Sequence, residues 1–220
     1  MLLFSVQPRF VYDQLQRGEV YHARPTREPE HWLNESDKGP RPAYDWLCEQ
    51  MVQRGLARPL DGDCPVYPVW AWHQWAGPAR PCPDLRNAQL KSWAKAERQV
   101  LLTLNVPDTA VLLHDYEAWH FPLNYWHLAR PRAGANFERR CKALNLSPYR
   151  QQPLPDASLH AELLRSWDVI FDLRAVRAML ETRQKDQVVQ ATFWAIEPHQ
   201  VLRAVEFGMG APRQVLPVGR

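Results

Sequence analysis

Glycine-rich phosphate-binding segments are missing from this chain. Only 9 of its 220 residues are glycine, and neither a G-x-G-x-x-G nor a G-x-x-x-x-G-K-[ST] segment occurs. These absences disfavour a Rossmann-type dinucleotide site and a P-loop. The 20 prolines exceed the average usage of about 5%, so proline stiffens the loops. We therefore expect one domain without a flexible linker.

Paired cysteines and long apolar runs are also missing. Cys48, Cys64, Cys82 and Cys141 are widely spaced, without a C-x-x-C pair, which disfavours both a zinc site and a disulfide framework. No stretch reaches the roughly 18 consecutive apolar residues that a membrane span needs. The apolar run 2–6 lacks the basic flank of a signal peptide. We expect reduced thiols, no membrane association and a cytoplasmic location.

Charge gives little indication of a polyanionic partner. The formal net charge is +3, and acidic residues are interspersed with basic ones, so a dedicated nucleic-acid-binding protein is not implied. One modestly basic stretch contains Arg130, Arg132, Arg139 and Arg140. A solvated loop is the favoured interpretation of these arginines, and a rim that contacts the phosphates of a nucleic acid is the alternative.

The order of predicted elements favours an α+β domain. With 45% hydrophobic residues, the chain is long enough to bury a core, and its strands and helices do not alternate regularly. We predict a single domain over residues 1–207, with a mixed or antiparallel sheet flanked by helices. Residues 208–220 are expected to form a loosely ordered tail. The strands are predicted at 2–7, 67–73, 98–106, 188–196 and 201–207.

The strongest helical patterns lie in the second half of the chain. Asp115 is predicted to be the N-cap of a helix that continues to Leu128. Apolar side chains recur along it at helical spacing, at Tyr116, Trp119, Leu123 and Trp126. A longer helix is predicted over 158–183, with Asp172 as a second N-cap within it. The intervening segment 134–155 is predicted to be irregular.

Tryptophan is abundant and clustered. Three of the ten tryptophans lie within six residues, from Trp70 to Trp75. Because side chains alternate along a strand, Trp70 and Trp72 share one face of the predicted strand. Indole rings fill a hydrophobic core or stack on a ring-bearing ligand, and the sequence leaves both uses open.

Other candidate sites are weaker. His120 and His127 are seven residues apart on one helix, about 10.5 Å along its axis, which is too far for one metal ion to bridge. The sequence therefore predicts no metal site. A G-x-S-x-G segment is absent, so a hydrolase is unsupported. Arg86 has Asp84 beside it, and a surface ion pair is favoured over a phosphate clamp.

Six short segments carry a resemblance to a known family. They are Ser5–Pro8, Ala43–Leu47, Pro68–Trp72, Pro83–Arg86, Leu112–Asp115 with Trp119–His120, and Gln190–Trp194. Together they resemble a bacterial family known as domain of unknown function 3841, over nearly the whole chain. That resemblance implies no particular activity.

The order of elements is also similar to that of ADP-ribosyltransferase-like domains, notably those that modify nucleic acids. In such domains the first strand supplies a polar residue to NAD, and aromatic groups sandwich the nicotinamide. A glutamate on a late strand stabilises the positive charge that develops as the glycosidic bond breaks. The resemblance implies NAD as a substrate and gives the first-strand role to Gln7. No other cofactor is implied.

The late strand departs from the pattern of that resemblance. Thr192 stands where the glutamate is expected, Gln190 shares its strand face, and Glu197 lies on the opposite face. Removing one such preorganised group commonly costs about 10² to 10³ in rate, so transfer chemistry would need a substitute.

Two functions therefore remain open. The first is a nucleotide-binding (NAD) ADP-ribosyltransferase-like protein, active or catalytically degenerate. Its catalytic candidates are Gln7, Gln190 and Thr192, and its ligand-binding candidates are Tyr67, Trp70, Trp72, Arg86 and Trp194. The second is a non-catalytic binding module that uses the tryptophan-rich surface for a nucleotide, a peptide or a nucleic acid. Both require the first strand and the late strand to meet in one sheet beside a hollow.

Overall fold

Apolar strands from both ends of the chain lie in one seven-stranded sheet. The structure, a computed structural model, describes residues 1–24, 40–59, 66–94, 98–208 and 211–219. The strands of this sheet are β1 Leu2–Pro8, β3 Val69–Gln74, β4 Gln99–Asn105, β5 Leu112–Asp115, β6 Val189–Phe193, β8 Val201–Gly208 and β9 Ala211–Leu216. A separate pair is formed by β2 Tyr21–His22 and β7 Ala195–Ile196.

The sheet is antiparallel at every pairing of these strands, in the order β5-β6-β3-β1-β4-β8-β9. This confirms the α+β class. The first strand β1 and the late strand β6 lie in the same sheet with only β3 between them. Strand β1 pairs with β4 along its whole length, from Leu2 to Pro8. It pairs with β3 only where Phe4 faces Trp72, so the seam between β1 and β3 is weakly paired.

Helices cover both faces of the sheet. Those in the described part of the chain are α1 Arg9–Gln16, α2 Arg41–Gln53, α3 Ala88–Trp93, α4 Tyr116–Leu123, α5 Pro131–Ala143, α6 Ala157–Ser166 and α7 Leu173–Met179. Helix α1 packs on one face together with the β2–β7 pair, and the other helices pack on the opposite face. None of the described helices has the length and apolar character needed to cross a membrane.

The strand register assigns each side chain to a face. Trp72 lies directly opposite Phe4 on one side and Gln190 on the other, and Gln190 lies opposite His114. Residues opposite one another point to the same side of a sheet. We call this side the aromatic face; its members include Phe4, Trp70, Trp72, His114, Gln190 and Thr192. The other side, the α1 face, carries Leu3, Ser5, Gln7, Leu102, Ala191 and Glu206.

The helix predicted to reach Leu128 is shorter than expected. It ends at Leu123, because Pro122 lies in its last turn and Tyr125 adopts a left-handed conformation with a φ of 55°. Trp126 therefore lies beyond the helix and is 40% exposed. The segment 134–155, predicted to be irregular, instead contributes to helix α5, which opens with Pro131 in its first turn.

The long helix predicted over 158–183 is divided. Helix α6 is followed by a 3₁₀ helix at Trp167–Phe171 and then by α7. The second N-cap is confirmed, because Asp172 Oδ1 accepts hydrogen bonds from the backbone N–H groups of Arg174 and Ala175. The N-cap at Asp115 is confirmed in the same way, by the backbone N–H of Ala118 at 3.0 Å.

The end of the chain does not form the loosely ordered tail that was expected. Residues Ala211–Leu216 are strand β9, paired with β8 at the edge of the sheet. Leu216 is buried, and the hydroxyl of Tyr12 donates to the carbonyl of Pro217 at 2.6 Å. Pairing with β8, one buried apolar side chain and one side-chain hydrogen bond thus hold this segment on the domain.

Candidate functional site

Aromatic rings surround His114 on the aromatic face. The centroid of its imidazole lies 5.1 Å from that of Trp70 and 5.8 Å from that of Trp119. The two indole centroids are 5.0 Å apart. Tyr44 of α2 completes the cluster, with its ring 5.4 Å from Trp70 and 5.6 Å from Trp119. Strands β3 and β5 and helices α2 and α4 therefore each contribute a ring.

Burial keeps this cluster uncharged. His114 is fully buried, and its burial lowers the pKa of the imidazole to about 3, an effect that the backbone of Asp115 offsets only in part. The ring is neutral at physiological pH, because desolvation disfavours the protonated form. Burial likewise raises the pKa of the Tyr44 hydroxyl. The cluster therefore presents hydrogen-bonding groups without a formal charge.

Four buried polar atoms at this cluster have no hydrogen-bond partner among the described residues. They are Trp70 Nε1, His114 Nδ1, His114 Nε2 and Gln190 Oε1. A neutral imidazole has one donor and one acceptor, so together these atoms offer two donors and two acceptors. Because most buried polar atoms in proteins are hydrogen-bonded, this concentration makes the cluster a candidate functional site.

The register brings four of the predicted site residues to this face: Trp70, Trp72, Gln190 and Thr192. Their environments differ. Thr192 is fully buried, and its hydroxyl donates to the carbonyl of Leu112 at 3.3 Å. Trp72 is buried against Trp75 and Tyr116, with centroids 4.6 and 5.2 Å away. Trp72 and Thr192 therefore serve packing, whereas Trp70 and Gln190 keep unused polar atoms.

Gln7 is not brought to the same place. It lies three residues after Phe4 on β1, and alternation therefore directs it to the α1 face. Its Nε2 donates to Ser5 Oγ at 2.7 Å, and Ser5 Oγ donates to the carbonyl of Trp70 at 2.7 Å. A hollow lined jointly by Gln7 and Gln190 does not form, because the sheet separates the two amides. Gln7 instead supports the backbone of β3 at the weakly paired seam.

Tyr67 and Trp194 lie outside the Trp70–His114–Gln190 set. The hydroxyl of Tyr67 donates to Asp45 Oδ1 at 2.8 Å. Trp194 Nε1 donates to the carbonyl of Leu56 at 3.0 Å, and Trp194 lines a cavity of about 480 Å³. Both side chains have fixed structural partners.

Arg86 is fully engaged at the surface. Its guanidinium contacts both carboxylate oxygens of Asp84, the closest at 2.8 Å. This hydrogen-bonded pairing holds the pKa of the Asp84 carboxyl well below its usual range. The surface ion pair favoured by the sequence is what the structure contains.

The four arginines considered as a phosphate-contacting rim lie at or within α5. Arg130 and Arg132 are exposed near its start. Arg139 donates to Asn136, and Arg140 pairs with Glu162. In the part of the chain that the structure describes, no group of three or more histidine, cysteine, aspartate and glutamate residues is placed to hold a metal ion.

Comparison with known families now adds to this geometry. Residues 2–202 match the family model described as domain of unknown function (DUF3841). The chain belongs to the DUF3841 family. No curated protein and no solved structure matches it. The matched range contains every residue of the aromatic face named above, whereas β9 of this DUF3841 protein lies beyond it.

Three members of the site in this DUF3841 protein were not singled out as ligand-binding residues from the sequence: His114, Trp119 and Tyr44. A signal for His114 was present in the sequence, because side-chain alternation along an extended segment places it on the same face as the apolar Leu112. A histidine on the apolar face of a strand indicates burial. Its lack of hydrogen-bond partners depends on the neighbouring β6 and α4, which the sequence pattern does not describe.

Proposed function

We propose that this DUF3841 protein binds a nicotinamide-bearing nucleotide, NAD foremost, at the aromatic face, and that it does not transfer ADP-ribose. The observation that carries the proposal is the set of unpaired, uncharged donors and acceptors at Trp70, His114 and Gln190. Ligand sites commonly combine aromatic walls with a few convergent polar groups. Trp70 is half-buried, which makes it the member through which a ligand would enter.

A carboxamide complements this set of atoms. Its carbonyl accepts hydrogen bonds and its amino group donates two, which suits the Trp70 indole N–H and the Gln190 side-chain oxygen. The nicotinamide ring of NAD carries such a carboxamide and a positive charge. A cation over an aromatic ring gains about 0.5 to 2 kcal/mol, and Trp70 and Trp119 offer such rings. The site therefore favours a cationic ring that bears an amide.

The topology gives further support to the proposal. An ADP-ribosyltransferase-like arrangement needs the first and late strands in one sheet, and β1 and β6 are separated only by β3. Trp70 lies on β3 itself, beside the weakly paired seam with β1.

The state of the carboxylates near β6 supports the proposal that the protein does not transfer ADP-ribose. Thr192 carries no charge, and the carboxylates of Asp115, at the end of β5, and Glu197, after β7, are engaged. Asp115 accepts hydrogen bonds from Ala118 N–H and Gln187 Nε2, and Glu197 belongs to the capping box of the turn before β8. Among the described residues of the aromatic face, none supplies the carboxylate that would stabilise a developing oxocarbenium ion.

The nucleic-acid alternative has less support. Arg139 and Arg140 are engaged by Asn136 and Glu162, and they lie on α5 rather than on the strands of the aromatic face. A cytoplasmic location is part of the proposal, and the free thiols of Cys48 and Cys141 suit it.

Calorimetric titration with NAD, nicotinamide and ADP-ribose tests the proposal. We expect NAD and nicotinamide to bind and ADP-ribose, which lacks the ring, to bind far more weakly. Trp70→Phe keeps an aromatic ring but removes the N–H, and should weaken NAD binding about tenfold, the effect of one hydrogen bond of about 1.4 kcal/mol. Trp126→Phe, at an exposed tryptophan outside the site, is the matched control and should change nothing.

Two results would contradict the proposal. Equal binding of NAD and ADP-ribose would show that the protein does not recognise the nicotinamide ring. No binding at millimolar NAD would show that the aromatic face is not an NAD site. Release of free nicotinamide from NAD, followed by chromatography, should not exceed the rate without protein. Faster release would show that the chain catalyses glycosidic cleavage despite Thr192.

A further inference from the structure

A cavity lies between helices α2, α4 and α6. The cavity measures about 270 Å³, slightly less than the roughly 300–1,000 Å³ of sites that hold drug-sized ligands. It therefore has room for one small ring system with a short substituent. Trp70, His114 and Gln190 do not line it, so it is separate from the aromatic face.

Rigid indole rings form one wall of this cavity. Trp46 and Trp167 meet edge to face with centroids 5.2 Å apart, and Trp46 stacks on Phe171 at 5.7 Å. Both tryptophans are buried, and Trp167 Nε1 donates to the carbonyl of Trp126 at 2.7 Å. The wall therefore keeps its shape when a flat apolar ring packs against it.

A tyrosine–histidine pair also lines the cavity, beside Trp167. The hydroxyl of Tyr125 accepts a hydrogen bond from Leu154 N–H at 2.8 Å and lies 2.5 Å from His160 Nδ1. Because Leu154 donates, the tyrosine proton is assigned to His160 Nδ1, and a neutral His160 carries its own proton on Nε2. Tyr125 has a φ of 55°, a strained conformation for a tyrosine that often occurs at functional sites.

Negative charge borders the cavity. Its lining contains the carboxylates of Asp45 and Glu49 and, in the described part of the chain, no lysine or arginine. Asp45 already accepts from the Tyr67 hydroxyl and lies 3.5 Å from Arg41 Nε. Glu49 is exposed and has no hydrogen-bond or ion-pair partner among the described residues. Its carboxylate is therefore free to pair with a cation.

We propose that this cavity binds a small aromatic amine. The ring packs against Trp46 and Trp167, and the ammonium group pairs with Glu49. The cation–π attraction of the indoles and the carboxylate charge act in the same direction, and both disfavour an anionic ligand of the same shape. His160 Nε2 supplies a donor for any acceptor that the ring carries.

Tryptamine and indole-3-acetate test the charge preference, because they share the indole ring and differ in the charge of the side chain. In calorimetric titrations of the full chain, tryptamine is expected to bind at least about tenfold more tightly than indole-3-acetate, since one charge is attracted and the other repelled. Equal affinities, or no binding of tryptamine at millimolar concentration, would overturn the proposal.

Substitutions locate the binding in this cavity. Glu49→Gln should weaken tryptamine binding about fivefold, as expected for a partly exposed ion pair. Glu138→Gln removes the same charge from an exposed position on α5 and should leave the affinity unchanged. Leu164→Phe, which fills the cavity from α6, should abolish binding, with folding checked by thermal unfolding. If Glu49→Gln and Glu138→Gln bind tryptamine equally well, the amine does not lie at Glu49 and the proposal fails.

Discussion

Three side chains of the aromatic face keep buried polar atoms without a partner, whereas the polar side chains named on the α1 face are hydrogen-bonded. On the α1 face Ser5 and Gln7 bond to each other, and Glu206 accepts from Arg9 and Arg98. On the aromatic face Trp70, His114 and Gln190 keep atoms that no described residue satisfies. Satisfied polar groups stabilise a fold, whereas unsatisfied ones reduce its stability. This contrast is the basis for proposing that the aromatic face binds a ligand, whereas the α1 face serves the stability of the fold.

Truncating a side chain on the α1 face should have the largest effect on stability. Leu102 is fully buried there, so Leu102→Ala should lower the free energy of unfolding by about 3 kcal/mol, through lost burial and the cavity left behind. Urea denaturation at equilibrium measures the change. NAD affinity of the folded variant should stay as in the native chain. A loss below about 1 kcal/mol would mean that this face is loosely packed.

Acid should destabilise the protein through the aromatic face. Burial lowers the pKa of His114 to about 3 from 6.5. Between these two pH values the imidazole is protonated in the unfolded chain but neutral in the folded chain. Above pH 6.5 His114 is neutral in both states and does not lower the free energy of unfolding. As the pH drops from 6.5 towards 3, that free energy falls by up to about 1.4 kcal/mol per pH unit. Urea denaturation from pH 7 to 4 should show a steeper loss for the native chain than for His114→Phe. Parallel curves would indicate that His114 binds a proton as readily in the folded protein as in the unfolded chain.

Replacing His114 by phenylalanine should separate stability from binding at neutral pH. The change removes two buried nitrogen atoms that lack described partners, and we expect the free energy of unfolding to rise by up to about 1 kcal/mol while NAD binding weakens. His160→Phe is the matched control, because it removes the partner of the Tyr125 hydroxyl and should lower stability. If both variants lose stability equally, His114 has a structural partner and the contrast between the two faces disappears.

The smallest effect is expected at Arg86, which belongs to neither face. Arg86→Ala breaks an exposed ion pair with Asp84, and such pairs contribute little because solvent screens them. The melting midpoint and the NAD affinity should both remain unchanged. The pKa of the Asp84 carboxyl should rise towards its ordinary value, which NMR titration detects. A weakened NAD affinity would bring Arg86 back as a ligand-binding residue.

Short-range patterns predicted much of this fold. Short apolar segments indicated β1, β4 and β8. The capping carboxylates of Asp115 and Asp172 were recognised because they act within three residues along the chain. The α+β class followed from the order of these elements. The pattern failed where the backbone leaves the common conformations, as at Tyr125 with its φ of 55°. It also failed at the end of the chain, where the pairing of β9 with β8 decides the structure.

The candidate site was only partly predictable. Trp70, Trp72, Gln190 and Thr192 were correctly expected on common strand faces, because alternation is a local property. Gln7 was expected beside them, but its face depends on the register between β1 and β3, which pairs Phe4 with Trp72. A shift of one residue in that register would reverse the side on which every β1 side chain lies relative to β3. Such long-range registers are not encoded in the pattern of one strand.

The single paired position between β1 and β3 also affects local motion of the sheet. Amide protons at this seam should exchange with solvent deuterium sooner than those of the ladder between β1 and β4, because local opening there breaks fewer hydrogen bonds. Local opening of the sheet would then begin next to Trp70. A ligand bound to that indole would slow the hydrogen exchange of the neighbouring backbone amides.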